Sequence, residues 1–179
     1  MNYHLFQIVN AAAGHNDPVD DVFEWSAVWL IWALAATAAI PILAHVRHRR
    51  AALGRVVASL GLAFAVGQAV AALSTEVRPF QTHPVHQLIP HAAGPSLPSD
   101  HATAAFAVAF AVGAFLSRRW GVALSVLATL IGFARVWTGV HYPGDILAGA
   151  LIAAAAVTTV SLGGRAYHRL TSRRLDTTA

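Results

Sequence analysis

The sequence predicts an all-α integral membrane protein: a bundle of five transmembrane helices plus a short N-terminal interfacial helix. Three observations carry that expectation. Apolar residues make up 56% of the 179-residue chain and charged residues only 11%, against about 25% charged in a soluble domain. The apolar residues gather into five runs, 22–45, 56–73, 101–116, 120–140 and 146–163. All twelve basic side chains are arginine, and ten of them cluster between or after those runs.

At this length the chain is expected to form a single membrane-embedded domain, 1–179. Residues 1–21 form the interfacial N-terminus. Its first thirteen read as a helix with Leu5, Ile8 and Val9 on its apolar side; the alternative is a frayed terminus. The first twenty residues have neither a basic leader nor a long apolar core, which argues against a cleaved signal peptide. A spanning helix needs about 20 residues, with a range of roughly 17–25. The run 101–116 is short by that measure, so polar ends must extend it. Pro41, near the end of the first run, could kink it. Alanine and glycine recur throughout, which suits close helix packing in lipid.

Orientation follows from charge. Arg47, Arg49, Arg50 and Arg55 lie between runs one and two, and Arg118 and Arg119 between runs three and four. Arg165, Arg169, Arg173 and Arg174 follow run five. Alternating spans put all three clusters on the cytoplasmic side, with the N-terminus outside and a cytoplasmic basic tail at 164–179. Seven of the eight acidic residues then fall outside, leaving only Asp176 within. Nucleic-acid binding is not expected, because the arginines flank apolar runs instead of forming an exposed basic face. The absence of cysteine excludes disulfides, thiolate catalysis and cysteine-ligated metals.

Segment 74–100 contains Pro79, Pro84, Pro90, Pro95 and Pro98, so it cannot be a regular helix. A structureless stretch that long tends to be functional. Pinned to two spans, it should fold over their outer mouths as an extracytoplasmic active-site loop.

The two arginines outside the clusters are Arg78 and Arg135. A cation in or near lipid costs roughly 2.5–3.5 kcal/mol on insertion scales, so such a residue usually has a task. Guanidinium forks match phosphate oxygens; snorkelling to headgroups is the alternative for Arg135. His141 and Asp145 stand four apart at a helix start, where they could share a face. A carboxylate beside an imidazole fixes its tautomer and leaves the other nitrogen free to attack phosphorus. Asp145 as a plain helix N-cap is the other reading. The run Pro98-Ser99-Asp100-His101 opens a helix whose N–H groups favour an anion. There His101 could act as a general acid, or Ser99 and Asp100 could simply cap the helix.

Together these pieces resemble the signature of the type 2 phosphatidic acid phosphatase superfamily: Lys-x6-Arg-Pro, then Pro-Ser-Gly-His, then Ser-Arg-x5-His-x3-Asp. More narrowly, Arg78-Pro79-Phe80, the stretch Val85-His86-Gln87-Leu88-Ile89-Pro90-His91-Ala92-Ala93 and Pro98-Ser99-Asp100-His101 resemble the bacitracin-resistance branch of undecaprenyl-diphosphate phosphatases. The resemblance covers residues 2–163. It implies a hydrolase acting on the lipid undecaprenyl diphosphate, in a bacterial cell membrane, with the site facing outward. It implies His141 as a nucleophile that becomes phosphorylated, Asp145 as its orienting partner, and His101 as the acid for the leaving lipid phosphate. Arg78, Arg135, Ser99 and N–H groups around Pro98 and Asp100 would hold phosphoryl oxygens. No metal ligand and no cofactor is implied.

Three positions depart from the family pattern. Ala71 stands where the lysine is expected, Asp100 replaces the glycine of the second motif, and Ala134 replaces the serine of the third. The missing lysine removes one phosphate clamp, so Glu76 or a loop histidine (His83, His86 or His91) is a candidate replacement. Glu76 could equally pair with Arg78. A zinc site at the three histidines is disfavoured, because proline interrupts the frame that tetrahedral sites use.

Overall fold

The computed structural model describes residues 2–45 and 47–176, with side chains up to Ala166. Seven helices are present among the described residues: α1 (Asn2–Asn10), α2 (Asp17–His45), α3 (Arg50–Leu73), α4 (Pro79–Thr82), α5 (Asp100–Phe115), α6 (Arg118–Trp137) and α7 (Pro143–Asp176). No strand occurs among these residues, only an isolated bridge between Val77 and Pro95. α2, α3, α6 and the stretch Pro143–Ala166 of α7 are long and apolar enough to cross a membrane, while α5 is a shorter apolar helix.

α5 occupies the middle of the bundle, against α2, α3, α6 and α7. Its composition explains this. Ala102, Ala105, Ala107, Ala109, Ala111 and Val112 are all buried, and a helix that is apolar on every side belongs inside. Small residues let its neighbours approach closely. A Cβ at Gly121 would overlap the backbone of Gly113, and one at Gly149 would sit 2.8 Å from Thr103 Oγ1. Burial among helices, rather than exposure to lipid, accounts for a length below the usual span.

The ends of the long helices differ from those of the apolar stretches. α2 begins five residues early, at Asp17, where Asp17 and Asp20 in its first turn complement the helix dipole. Pro41 is buried inside α2, which continues to His45. α6 stops at Trp137 instead of Val140, because Gly139 turns the chain. α7 runs on through the basic stretch to Asp176. Expectations for the side chains of Arg169, Arg173, Arg174 and Asp176 lie outside the described ones.

The arginine clusters meet at one end of the bundle. Gly164 packs beside Arg55, and Ala52 and Leu53 share an apolar cluster with Leu116 and Trp120. The loop 74–99 closes the opposite end. It is irregular except for α4, with Ser96 N–H donating to Glu76 O (2.8 Å) and Leu88 N–H to Thr138 O (3.2 Å).

α1 buries residues that the aliphatic pattern does not mark. Leu5 and Ile8 are exposed, as an interfacial helix requires, whereas Phe6 and Asn10 are the buried residues. Phe6 meets the Tyr142 ring edge-on at 5.6 Å. Asn10 donates to His86 O and Trp137 O, both at 2.9 Å, and accepts from His86 N–H at 3.0 Å. This helix therefore joins the loop to the end of α6.

Candidate active site

The centre of the site is built by the chain reversal after α6. Gly139 takes φ +80°, a conformation that side-chain-bearing residues adopt at a cost. Its N–H donates to Val136 O (3.1 Å), and Val140 N–H donates to Arg135 O (3.2 Å). That pair of bonds is a Schellman cap. His141 N–H also reaches Arg135 O, at 3.3 Å. The backbone of Arg135 thus anchors the turn that carries His141.

His141 is 2% exposed and Asp145 fully buried. Asp145 sits in the first turn of α7, which opens with Pro143. Its Oδ2 accepts three bonds: from His141 Nδ1 at 3.1 Å, from Tyr142 N–H at 2.8 Å, and from the Ser96 hydroxyl. The cap-like and orienting roles are therefore combined in one oxygen. A carboxylate can only accept, so the shared proton resides on Nδ1. Nε2 then carries a lone pair, which accepts from Arg78 Nη1 at 2.9 Å.

Arg78 precedes α4 and also donates to Val140 O at 3.3 Å. Arg135 is 3% exposed, and its Nη1 donates to Ala27 O at 3.3 Å. Arg78 Nε, Arg135 Nε and Nη2, and Asp145 Oδ1 are buried without a hydrogen-bond partner among the described residues. Buried donors of this kind are costly unless something satisfies them. Three guanidinium donors beside one imidazole form a receptor for an oxyanion.

Burial pushes the His141 imidazole down to about 4, and Arg135 and Arg78 add to the effect. The Asp145 hydrogen bond works against it without cancelling it. At neutral pH the ring is uncharged and its Nε2 is nucleophilic. Burial also lowers Arg78, opposed by Asp100 and Asp145, but a guanidinium stays charged.

The helix start at α5 forms another wall. Ser99 is fully buried and is the N-cap, its Oγ accepting from Ala102 N–H at 3.5 Å. Ser99 N–H donates to Asp145 O at 3.3 Å, joining α5 to α7. Pro98 is buried before it, and Asp100 is exposed, accepting from Gln68 Nε2 at 3.4 Å. His101 lies within electrostatic range of Arg135, His141, His91 and Arg78.

Glu76 is placed elsewhere. Its Oε1 accepts from Asn2 Nδ2 at 3.1 Å, and no Glu76–Arg78 ion pair occurs among the described residues. The loop histidines also separate. His83 stacks on Tyr3 at 3.8 Å and His86 meets His15 edge-on at 5.5 Å. Only His91 approaches the centre, with its ring 6.1 Å from that of His141. Burial lowers its pKa, against the Ala92 carbonyl bond that raises it, and Arg78 and Arg135 lower it further.

Sequence reasoning missed Ser96, Asn2 and Asn10. Asn2 Oδ1 accepts from Gly144 N–H at 2.9 Å, bracing the turn between His141 and Asp145. No spacing rule announces such contacts. The one available hint was the placement of polar residues at both ends of a short apolar helix.

The PAP2 superfamily model matches residues 52–167. The chain is 34% identical over 154 residues to "Undecaprenyl-diphosphatase BcrC" of Bacillus subtilis (strain 168), covering 86% of this chain and 79% of that protein. It is 30% identical over 153 residues to "Bacitracin transport permease protein BcrC" of Bacillus licheniformis, covering 85% and 75% respectively. The crystal structure of Aquifex aeolicus LpxE has the same fold, with a TM-score of 0.72 at 22% identity over 89% of this chain and 93% of that one. With the family model spanning most of its length, the chain belongs to the PAP2 superfamily and is a multi-pass membrane phosphatase.

Proposed function

We propose that the protein hydrolyses undecaprenyl diphosphate to undecaprenyl phosphate and inorganic phosphate through a phosphohistidine. The observation that carries this reading is the buried His141–Asp145 pair, with Nε2 turned to Arg78 and unpartnered donors on Arg78 and Arg135 beside it. The relative named as an undecaprenyl-diphosphatase supports that choice of substrate.

In the first step Arg78 Nη1 releases Nε2 and takes a phosphoryl oxygen. Nε2 attacks the terminal phosphorus, and the bond from phosphorus to the bridging oxygen breaks. His101 gives its proton to that oxygen, and the lipid monophosphate leaves. Asp145 stabilises the positive ring that results. In the second step His101 takes a proton from water, whose oxygen attacks phosphorus. The P–N bond breaks and inorganic phosphate departs. Arg78, Arg135, Ser99 and N–H groups at the start of α5 hold the charge that develops on the oxygens.

The proposal includes five spans, α2, α3, α5, α6 and α7, in one domain of residues 1–179. The N-terminus and loop 74–100 lie outside, and the arginine end lies in the cytoplasm. In a bacterial cell membrane this recycles the cell-wall carrier lipid and removes the target of bacitracin, giving resistance. The tail then stays in the bilayer while the diphosphate sits at its outer face.

Phosphate release from undecaprenyl diphosphate, measured for wild type and His141→Ala with excess chelator, tests the chemistry. Wild type should turn over and trap a phosphorylated histidine, and the variant should do neither. The permease name of one relative favours a second reading, a lipid-phosphate binder or transporter. Equal phosphate release from both proteins would support it. A panel adding phosphatidic acid and phosphatidylglycerol phosphate fixes the substrate.

A further inference from the structure

His91 has no part in the two steps above, yet the fold holds it at their edge. On one side of it Ile89 is buried against Ala27, Ala134 and Val140, and its carbonyl accepts from Gln87 Nε2 at 3.0 Å. On the other side Gly94 N–H donates to Gln81 Oε1 at 3.0 Å, the oxygen that also accepts from Arg78 N–H at 3.2 Å. A loop histidine anchored on both sides, and tied through one carboxamide to Arg78, is placed rather than left to solvent. Its ring stands edge-on to His141 with centroids 6.1 Å apart. That separation rules out a direct bond between the imidazoles and leaves room for phosphate oxygens between them. Its Nδ1 lies 3.1 Å from Ala92 O. A carbonyl can only accept, so the proton is on Nδ1 and Nε2 is the free nitrogen.

Charge indicates what the ring is for. Arg78 and Arg135 are fixed cations, and Asp100 acts on both while Asp145 acts on Arg78, offsetting part of their charge. A phosphate monoester already carries about −1.5 to −2 at neutral pH, and a second phosphate adds to that. Of the groups whose charges reach His101, namely Arg135, His141, His91 and Arg78, His91 alone has no task in the mechanism. From this placement we propose that His91 Nε2 grips the lipid-side phosphate of a diphosphate, gaining a proton as the anion arrives, and so makes the site hold diphosphates more tightly than monophosphates. The proposal rests on the diphosphatase reading above and adds a ligand for the phosphate that is not attacked. The terminal phosphate occupies the deep part of the site, against His141 and the unpartnered donors of Arg78 and Arg135. The second phosphate therefore meets the half-buried ring at the rim. In the protein alone, burial lowers the pKa of His91, the Ala92 carbonyl bond raises it, Arg78 and Arg135 lower it, and Asp100 raises it; the net shift is downward. A phosphate oxygen at Nε2 reverses that balance, because a nearby anion favours the charged ring. The proton taken up turns a lone pair into a donor.

Calorimetry on the full-length protein in detergent tests this without turnover, with methylenediphosphonate and inorganic phosphate as the two ligands. The first carries two phosphorus groups on a bridge that water does not cleave. His91→Gln should lower affinity for the diphosphonate at least about tenfold and leave affinity for phosphate within about twofold. His91→Lys brings a permanent charge to the same place, so it should restore diphosphonate affinity. Its proton uptake on binding, read from buffers of different ionisation enthalpy, should be smaller than that of wild type. Unchanged diphosphonate affinity in His91→Gln overturns the proposal, and so does a parallel loss for phosphate, which would put His91 on the attacked group. Wild type that holds both ligands equally well, or proton uptake that His91→Lys leaves unaltered, also overturns it. Failure of the diphosphatase reading looks different: wild type would release no phosphate from undecaprenyl diphosphate, while the selective loss of diphosphonate binding in His91→Gln persisted.

Discussion

Replacing Asp145 by asparagine removes a charge while keeping the shape, and the structure gives the outcome a specific form. Two donors other than His141 point at Oδ2, namely Tyr142 N–H and the Ser96 hydroxyl. The hydroxyl can turn round and accept, but the backbone Tyr142 N–H can only donate, so the asparagine places its carbonyl oxygen at the Oδ2 position. His141 Nδ1–H then keeps an acceptor, and Nε2 keeps its lone pair. The new NH2 falls where Oδ1 is now, buried and without a partner. In serine-hydrolase triads the corresponding amide puts the proton on the wrong nitrogen and costs about 10⁴ in rate. Here only the charge term is lost. A charged hydrogen bond exceeds a neutral one by roughly 1–1.5 kcal/mol. The attraction between a carboxylate and a positive ring adds up to about 4 kcal/mol at an effective dielectric of 20. Since the two overlap, the net loss is about 2–4 kcal/mol, or roughly 30- to 1000-fold in kcat at 1.36 kcal/mol per decade. Phosphate release measures the rate, and nitrogen-15 chemical shifts of His141 report its tautomer. A ring protonated at Nε2 with a fall of 10⁴ would refute the argument, and so would an unchanged rate.

The remaining expectations concern pH and the scaffold. The proposed attack requires neutral His141, so kcat/KM should fall as pH drops through about 4; a midpoint near the ordinary histidine value would show that burial does not govern the ring. The same depression makes folding stability full above the unfolded pKa of about 6.5 and progressively lost as pH falls towards 4, which denaturation of purified protein across that window checks. Asn10→Ala strips three part-buried bonds to backbone groups and should cost about 1–3 kcal/mol, read as a melting temperature lower by several degrees. Gly139→Ala forces a side chain into φ +80° with its Cβ 2.6 Å from His86 O. It should lower both stability and kcat, and an active, equally stable variant would contradict the turn geometry.

Much of the site was legible because its members carry chemistry that lipid would otherwise exclude. Arg78 and Arg135 stood apart from the orienting arginines, and the His141–Asp145 spacing is short enough to be local. Those signals lie within single segments. What remained hidden depends on segments meeting. Ser96 looks like one more loop serine until the loop folds onto α7, and His91 differs from His83 and His86 only by which surface each reaches. The aliphatic residues of α1 gave its outward side, whereas the inward contacts of Phe6 and Asn10 stayed hidden, because they depend on Tyr142 and on open backbone groups of the loop. The extent of the spans was likewise blurred. Apolar runs mark contact with lipid or core, whereas helices end where a cap such as Gly139 ends them.

The Arg135 carbonyl has a consequence for what the chain can tolerate. By receiving the N–H groups of both Val140 and His141, it makes the residue proposed to grip the anion and the residue proposed to attack opposite ends of one knot. Side chains at Val136 or Trp137 can change and leave the knot tied, but adding or removing one residue between positions 135 and 141 would swing the imidazole away from the guanidinium. Counting, more than composition, is what that stretch must preserve.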